Sequence, residues 1–596
     1  MIKPNPEQEN IINYFIQNKS KNRILLVEAP PGTGKTFTAV ATAMEYTLFN
    51  IKNNPKYNKK VLILTFSKNA RAQIEKQLDA LSSNDVNCDK YIEINWDKYI
   101  EIINFHSFFQ KYVWAYSKYL GLKDNLIILS PKKRKEILTE KFLTISGYDK
   151  NDDDLYNWAE ALLEGDFRPK TRYGKVKSSV EKLIPYMEDI KDLIKDINKE
   201  GYIGFSDIAY YMLELINKSP ALLNIIQNKY GLIILDEYQD SSDLQDEIVK
   251  KIIGKNNKAI FFADSKQMIY GWRGASAERL KNLLDYYNGE IERKELTEII
   301  RFKNREDIKV FISQVRKGNF NIENFKSSEN IKYVKVDVNI ENSNVSYKEK
   351  KKRKFGYLKF ELIKYLPKNI ERKNKSVGIL CRNNELVNFI NKSLIEDFNT
   401  YSKVISTNED EHNLIYDLIE FMKKEQIEKD ELCREIFKYV FEIIYDNNIG
   451  SIKRNNKETI AFDSLKNVRL EILRKIKEYI ELAYKDKNYY KCLYNVIELV
   501  SNSKLKINID ILKLLKKVLC LNCYSEDKVM NIFLQYQYLQ AFKNLKGIYV
   551  LNIHQSKGRE FDYVYILDIK SIINDENLLY VALSRVKEKL VVFDWI

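Results

Sequence analysis

The sequence predicts an α/β protein with two parallel-sheet cores, each interrupted by a helical insertion. Short apolar, β-branched runs recur at 23–27, 61–66, 101–105, 231–235 and 259–263, and a second set follows at 333–338, 377–381, 548–553, 563–567 and 590–593. Such runs suit strands covered on both faces, because βαβ crossovers lay helices on either side of a parallel sheet. The third and fourth runs of the first set are separated by a stretch, about 109–204, that lacks strand signals and carries Lys and Glu at helical spacing. A similar stretch, about 400–530, divides the second set, and its apolar residues recur at helical intervals over 505–519. At about 150 residues per part, a chain of 596 has room for four. The expected divisions are 1–108 with 205–290, the insertion 109–204, 291–399 with 531–596, and the insertion 400–530.

Composition bounds the function. An apolar share of 44% can fill several cores, which excludes a disordered or fibrous chain. With 98 Lys+Arg against 83 Asp+Glu, the net charge of +15 suits a polyanionic partner, nucleic acid before an anionic membrane surface. The opening MIKPNPEQEN has no apolar segment of the signal-peptide kind, and no run approaches the roughly 18 residues of a membrane span. A soluble, cytoplasmic protein is expected. Six cysteines are too sparse for a disulfide scaffold, and the one close pair, Cys520 and Cys523, has no second pair to complete a structural metal site. The basic tract KEKKKRK at 348–354 is expected to be a solvated loop.

The strongest chemical signal is APPGTGKT, formed by Ala29, Pro30, Pro31, Gly32, Thr33, Gly34, Lys35 and Thr36. It follows the first expected strand and precedes a helix, so its backbone N–H groups can cradle phosphate oxygens, with the glycines allowing close approach. Lys35 is suited to the β- and γ-phosphates of ATP and Thr36 to a Mg²⁺ ion. A nucleotide site of this kind needs carboxylates at a second strand end, and GLIILDE at 231–237 supplies them: Asp236 for the Mg²⁺ shell and Glu237 as general base toward water. Single-strand binding calls for aromatic faces beside cations. Tyr270, Trp272 and Arg273 offer both, and Phe66 adds a ring.

These segments resemble the UvrD/Rep group of superfamily 1 DNA helicases. DEYQDSSDLQ at 236–245 and ADSKQMIYGWRGA at 263–275 are similar to that family's motifs II and III. In matching order come NPEQ at 5–8, TFSKNARAQI at 65–74, NFHSF at 104–108, LTEIIRF at 296–302, HQSKGREF at 554–561 and LLYVALSRVKEKL at 578–590. The resemblance implies two RecA-like P-loop domains, each with a mainly helical insertion, working as an ATP-dependent 3′–5′ translocase on single-stranded DNA and 3′-tailed duplex. It further implies that Gln8 reads the adenine edge, Gln267 senses the γ-phosphate, Arg301 and Arg585 reach the phosphates from the second core, and Glu560 lies near the sugar. His106 and His554 are expected along the strand path.

Two departures bear on the base pocket. Ile299 and Ile300 stand where the family has Asn-Tyr, and Phe37 stands where a basic residue follows the P-loop. The adenine stack is therefore expected to be rearranged, with Phe37 as the candidate ring. With only a short tail after Arg585, no nuclease domain is expected, and the rival expectation is a DNA-stimulated ATPase serving a separate nuclease subunit, as in Gabija-type antiviral defence. An RNA helicase is the second rival.

Overall fold

The computed structural model describes residues 4–16, 22–82, 94–129, 137, 187–270, 278–302, 305–320, 327–336, 347–367, 374–398, 421, 426–443, 471–503, 512, 515–516, 519 and 547–595. The chain divides into two compact units, one of Met1–Ile128, Lys135–Ile405 and Ala541–Ile596, the other of Leu129–Arg134 and Ser406–Gln540. In the second unit, the helices Lys429–Ile443, Glu471–Asp486 and Tyr489–Ser501 bury Leu432, Ile436, Ile476, Ile480, Leu493 and Val496 at helical spacing.

Both large sheets belong to the first unit. Strands β1 (Ile24–Glu28), β2 (Lys60–Thr65) and β3 (Ile100–Asn104) open the first sheet. A separate parallel pair, β4 (Ile127–Ile128) and β5 (Tyr202–Ile203), closes the two described flanks of the first insertion. The first sheet is completed by β6 (Tyr230–Leu235), β7 (Lys258–Ala263) and β8 (Ile291–Glu295), in the order β3-β2-β6-β7-β1-β8, all parallel. The second sheet comprises β9 (Ile331–Val336), β10 (Ser376–Cys381), β11 (Gly547–Asn552), β12 (Phe561–Ile566) and β13 (Val586–Trp595), in the order β11-β10-β12-β13-β9, also all parallel.

Alternation along the strands fills both faces. Leu25, Val27, Ile63 and Ile234 enter one core while Ile24, Leu26, Leu62 and Ile233 enter the other. The second sheet divides in the same way, Val591 and Phe593 against Leu590 and Val592. The ten expected runs thus become strands with shifts of a few residues at their ends.

Three expectations are corrected. Residues 291–295, grouped by sequence with the second core, add an edge strand to the first sheet. The first insertion is not wholly strandless, and its near flank (Leu120, Leu122, Leu126, Ile128) shares the core beneath the first sheet. The tract 348–354 is not a loop: it lies within the helix Tyr347–Tyr365, whose Phe355, Leu358 and Leu362 pack under the second sheet. One apolar stripe is enough to hold a helix whose other faces are charged.

Candidate active site

The site grows from the C-terminal ends of the first sheet's strands, where a parallel α/β sheet opens a crevice. Beyond β1, Ala29 donates its N–H to the Ala263 carbonyl at 2.9 Å, continuing the ladder into the loop. The loop then turns through Pro30, Pro31 and Gly32, with Thr33 Oγ1 donating to the Pro30 carbonyl at 2.8 Å. Gly32 and Gly34 have φ of +82° and +81°, left-handed values that a side chain resists. A Cβ at Gly32 would also lie 2.7 Å from the Arg301 Cβ. The helix Lys35–Asn53 starts directly after Gly34, carrying half-buried Thr36 and Phe37 in its first turn.

Gln8 belongs to the helix Pro6–Ile12 and forms a reciprocal capping box with Asn5. Its Nε2 donates to the Thr33 carbonyl at 3.0 Å, which seats the glutamine on the P-loop. From the other side the strap 296–301 closes over the same loop, the Ile300 and Arg301 amides donating to the Gly32 carbonyl at 2.8 and 3.1 Å. Ile300 thus lies beside Gly34 and Gln8, an aliphatic wall in the place noted by sequence as departing from the family's Asn-Tyr.

Lys35 is paired with Glu237 and lies 3.3 Å from Asp236 Oδ1. Burial disfavours the charge on Lys35, but the two carboxylates outweigh it and its pKa rises. Burial also pushes the Asp236 carboxyl up. For Glu237 burial acts in the same sense, yet Lys35 and Lys557 prevail and hold it at about 2. Glu237 adopts φ +55°, a left-handed value rare for a residue with a side chain and of the kind that clusters at active sites.

The second core faces these acids with cations. Arg585, 4% exposed, donates from Nη2 to Gln267 Oε1 at 2.9 Å and from Nε to the Val581 carbonyl at 2.9 Å. Burial and the neighbouring Arg301 bring its pKa down to about 10. Arg301 donates to the Ser584 carbonyl at 2.9 Å and pairs with Glu560, whose carboxyl is held low by Arg301 and Lys587 against the effect of burial. Lys557 was given no role by sequence, although it lies inside HQSKGREF. It crosses to Asp240 Oδ2 at 2.5 Å, approaches Glu237 Oε2 at 4.0 Å and donates to the Gln267 carbonyl.

A run of rings also bridges the two cores. Phe66, just after β2, stacks on Tyr270 with centroids 5.1 Å apart and planes at 27°. Tyr270 in turn meets His554 of the second core at 6.0 Å and donates its hydroxyl to the His554 carbonyl at 3.0 Å. The Lys557 ammonium lies 5.3 Å from the centre of the Tyr270 ring. His106 opens the helix Phe105–Ala115 beyond β3, the strand next to β2. Trp272 and Arg273 lie outside the described residues.

With this geometry in view, residues 5–288 match the UvrD/REP helicase N-terminal domain and residues 547–593 match the UvrD-like helicase C-terminal domain. The chain belongs to the UvrD/REP helicase family. It is 24% identical over 94% of its length to a probable DNA helicase II homolog of Mycoplasma capricolum, 81% of which is covered. It is 21% identical over 95% of its length to the ATP-dependent DNA helicase PcrA of Staphylococcus epidermidis, again covering 81% of that protein. Against the RecBCD enzyme subunit RecB of Borreliella burgdorferi, identity is 25% over 77% of this chain and 42% of the relative. This family member is an ATP-dependent DNA helicase, a hydrolase of the UvrD-like type. Among the described residues, no helix is long and apolar enough to cross a membrane.

Proposed function

We propose that the chain is an ATP-driven translocase that moves 3′ to 5′ on single-stranded DNA and separates duplex ahead of it. The observation that carries this is the shared cleft: the P-loop and two carboxylates of one core face Arg301 and Arg585 of the other, while the Phe66–Tyr270–His554 run spans the same two cores. A nucleotide bound between them would couple its hydrolysis to their closure, and closure would move the rings against one another.

Binding begins with exchange of partners. ATP phosphates entering the loop would take Lys35 from Glu237, and the freed carboxylate, no longer held at about 2, becomes a stronger base toward water. Gln267 and Arg585 would turn from each other toward the γ-phosphate. Arg301 would add its charge from beside Gly32, and Glu560 would face the sugar. Gln8, set against Gly34, would read the base edge, with Ile300 and Phe37 taking over from the family's aromatic stack. Thr36 and Asp236 fit a Mg²⁺ ion, because Asp236 Oδ1 is buried with no hydrogen-bond partner among the described residues and lies 3.3 Å from the Lys35 ammonium. Held by these residues, the metal would supply positive charge to offset that of the phosphates.

Duplexes bearing only a 3′ or only a 5′ single-stranded tail test the proposal. The 3′-tailed substrate should be unwound and the 5′-tailed one left intact; preference for the 5′ tail overturns the polarity. Hydrolysis stimulated by single strands without strand separation on either substrate would favour the nuclease-serving ATPase instead. Stronger stimulation by RNA than by DNA would reassign the track.

A further inference from the structure

Arg316 lies outside every motif that carries the family resemblance, yet it reaches into the catalytic cleft. It ends the helix Glu306–Arg316, anchored on the second core by Ile308, Ile312 and Val315. Its Nη1 lies 2.6 Å from Asp264 Oδ1, across the cleft at the end of β7, and donates to the Tyr580 hydroxyl at 3.1 Å. Asp264 is fully buried, and among the described residues Arg316 is the cation paired with it. A buried carboxylate without a partner is costly, so this contact bears on whether Asp264 keeps its place.

Asp264 is also a hub. Its Oδ2 accepts from Gln267 Nε2 at 2.8 Å, and its own N–H donates to Gln239 Oε1 at 3.1 Å. Gln239 in turn donates from Nε2 to Glu237 Oε2 at 2.5 Å. The Gln267 amide has one orientation that satisfies both neighbours, since a carboxylate only accepts and a guanidinium only donates. Nε2 therefore faces Asp264 and Oε1 faces Arg585, as observed.

We infer that Arg316 is a positioning residue for hydrolysis. By clamping Asp264 from the second core it fixes the orientation of the Gln267 amide, and so sets where Arg585 and the γ-phosphate meet the sensor. The inference rests on the proposed roles of Gln267 and Arg585. Because Arg316 shares the second core with Arg301 and Arg585, it reaches Asp264 only when the cores are together. Its loss should then appear in DNA-stimulated turnover rather than in ATP binding.

The test compares Arg316→Ala, Arg316→Lys and Gln267→Ala, singly and as the Arg316→Ala/Gln267→Ala double variant, by steady-state hydrolysis with saturating single-stranded DNA. Arg316→Ala should lower kcat by about tenfold, as loss of a supporting contact does, with KM for ATP nearly unchanged. Arg316→Lys, which keeps the charge without the planar fork, should recover part of the loss. In the Gln267→Ala background the Arg316 change should add nothing, because its route through the sensor is already gone. Wild-type kcat in both Arg316 variants, or additive losses in the double variant, overturns the inference. If Arg316→Ala does not fold, the lysine variant combined with Gln267→Ala gives the same comparison. Full DNA-stimulated turnover in Gln267→Ala would instead remove the sensor role on which both readings stand.

Discussion

The first core furnishes the cleft from the C-terminal ends of its strands, whereas the second draws partly on strand starts, with His554 and Lys557 following the end of β11. In the first, Lys35, Asp236, Glu237, Asp264 and Gln267 all follow strands β1, β6 and β7. In the second, Glu560 and Arg585 each stand one residue before a strand, β12 and β13. Ladder bonds hold both sets: the Asp236 N–H donates to the Leu64 carbonyl at 2.8 Å in the first core, and the Phe561 N–H donates to the Arg585 carbonyl at 2.9 Å in the second. Across the cleft, Arg316, Lys557 and Arg585 of the second core meet Asp264, Asp240 and Gln267 of the first. Lys35 pairs with its two carboxylates within the first core, whereas Lys557, Arg585 and Arg316 make pairs across the cleft; in the proposed mechanism the former would be exchanged on nucleotide entry and the latter would serve coupling.

The largest expected effects sharpen that division. Lys35→Ala and Arg585→Ala should each lower hydrolysis on the order of 10³-fold, the scale seen when a phosphate-stabilising cation is removed. They should differ in binding: a fluorescent ATP analogue should bind poorly to the Lys35 variant and nearly normally to the Arg585 variant. Equal losses of binding in both would erase the distinction between entry and coupling.

Lys557→Ala comes next. Removing one partner of a buried ion pair leaves the other charge uncompensated, costing about 3 kcal/mol. The unfolding midpoint of the nucleotide-free protein should fall, and DNA-stimulated turnover should fall by about tenfold. An unchanged midpoint would mean that the two cores are joined by other contacts.

The first core's half of the cleft was legible in sequence because its signals are contiguous. An apolar strand, a glycine loop and a helix follow one another from 24 to 53, and Asp236 with Glu237 ends the apolar run of β6. Strand β8 escaped notice because IERKE is an edge strand with one neighbour, and its charged side chains break the apolar pattern. Lys557 sat in a noted motif, but nothing in HQSKGREF says which way an ammonium points. Arg316 gave no signal at all, since an arginine at a helix C-terminus is ordinarily a surface residue or a response to the helix dipole. Contacts between distant segments are set by how the cores meet, which strand periodicity does not encode.

The smallest expected effect concerns pH. Burial pushes the Asp240 carboxyl up to about 7 from its ordinary 3.8, despite the Lys557 charge beside it. The unfolded chain releases this proton near pH 4 and the folded protein near pH 7, so between those values the folded state binds more protons and loses stability as pH rises. Glu237 behaves in the opposite sense: held at about 2 against an ordinary 4.5, its favourable contribution is complete above pH 4.5 and adds no slope in this window. Asp240→Asn should therefore flatten the dependence of Tm on pH between about 5 and 8, gaining on the wild type as pH rises. Parallel Tm curves for the two proteins would show that Asp240 is already ionised at pH 5, and that the Lys557 pair joins the cores across the whole range.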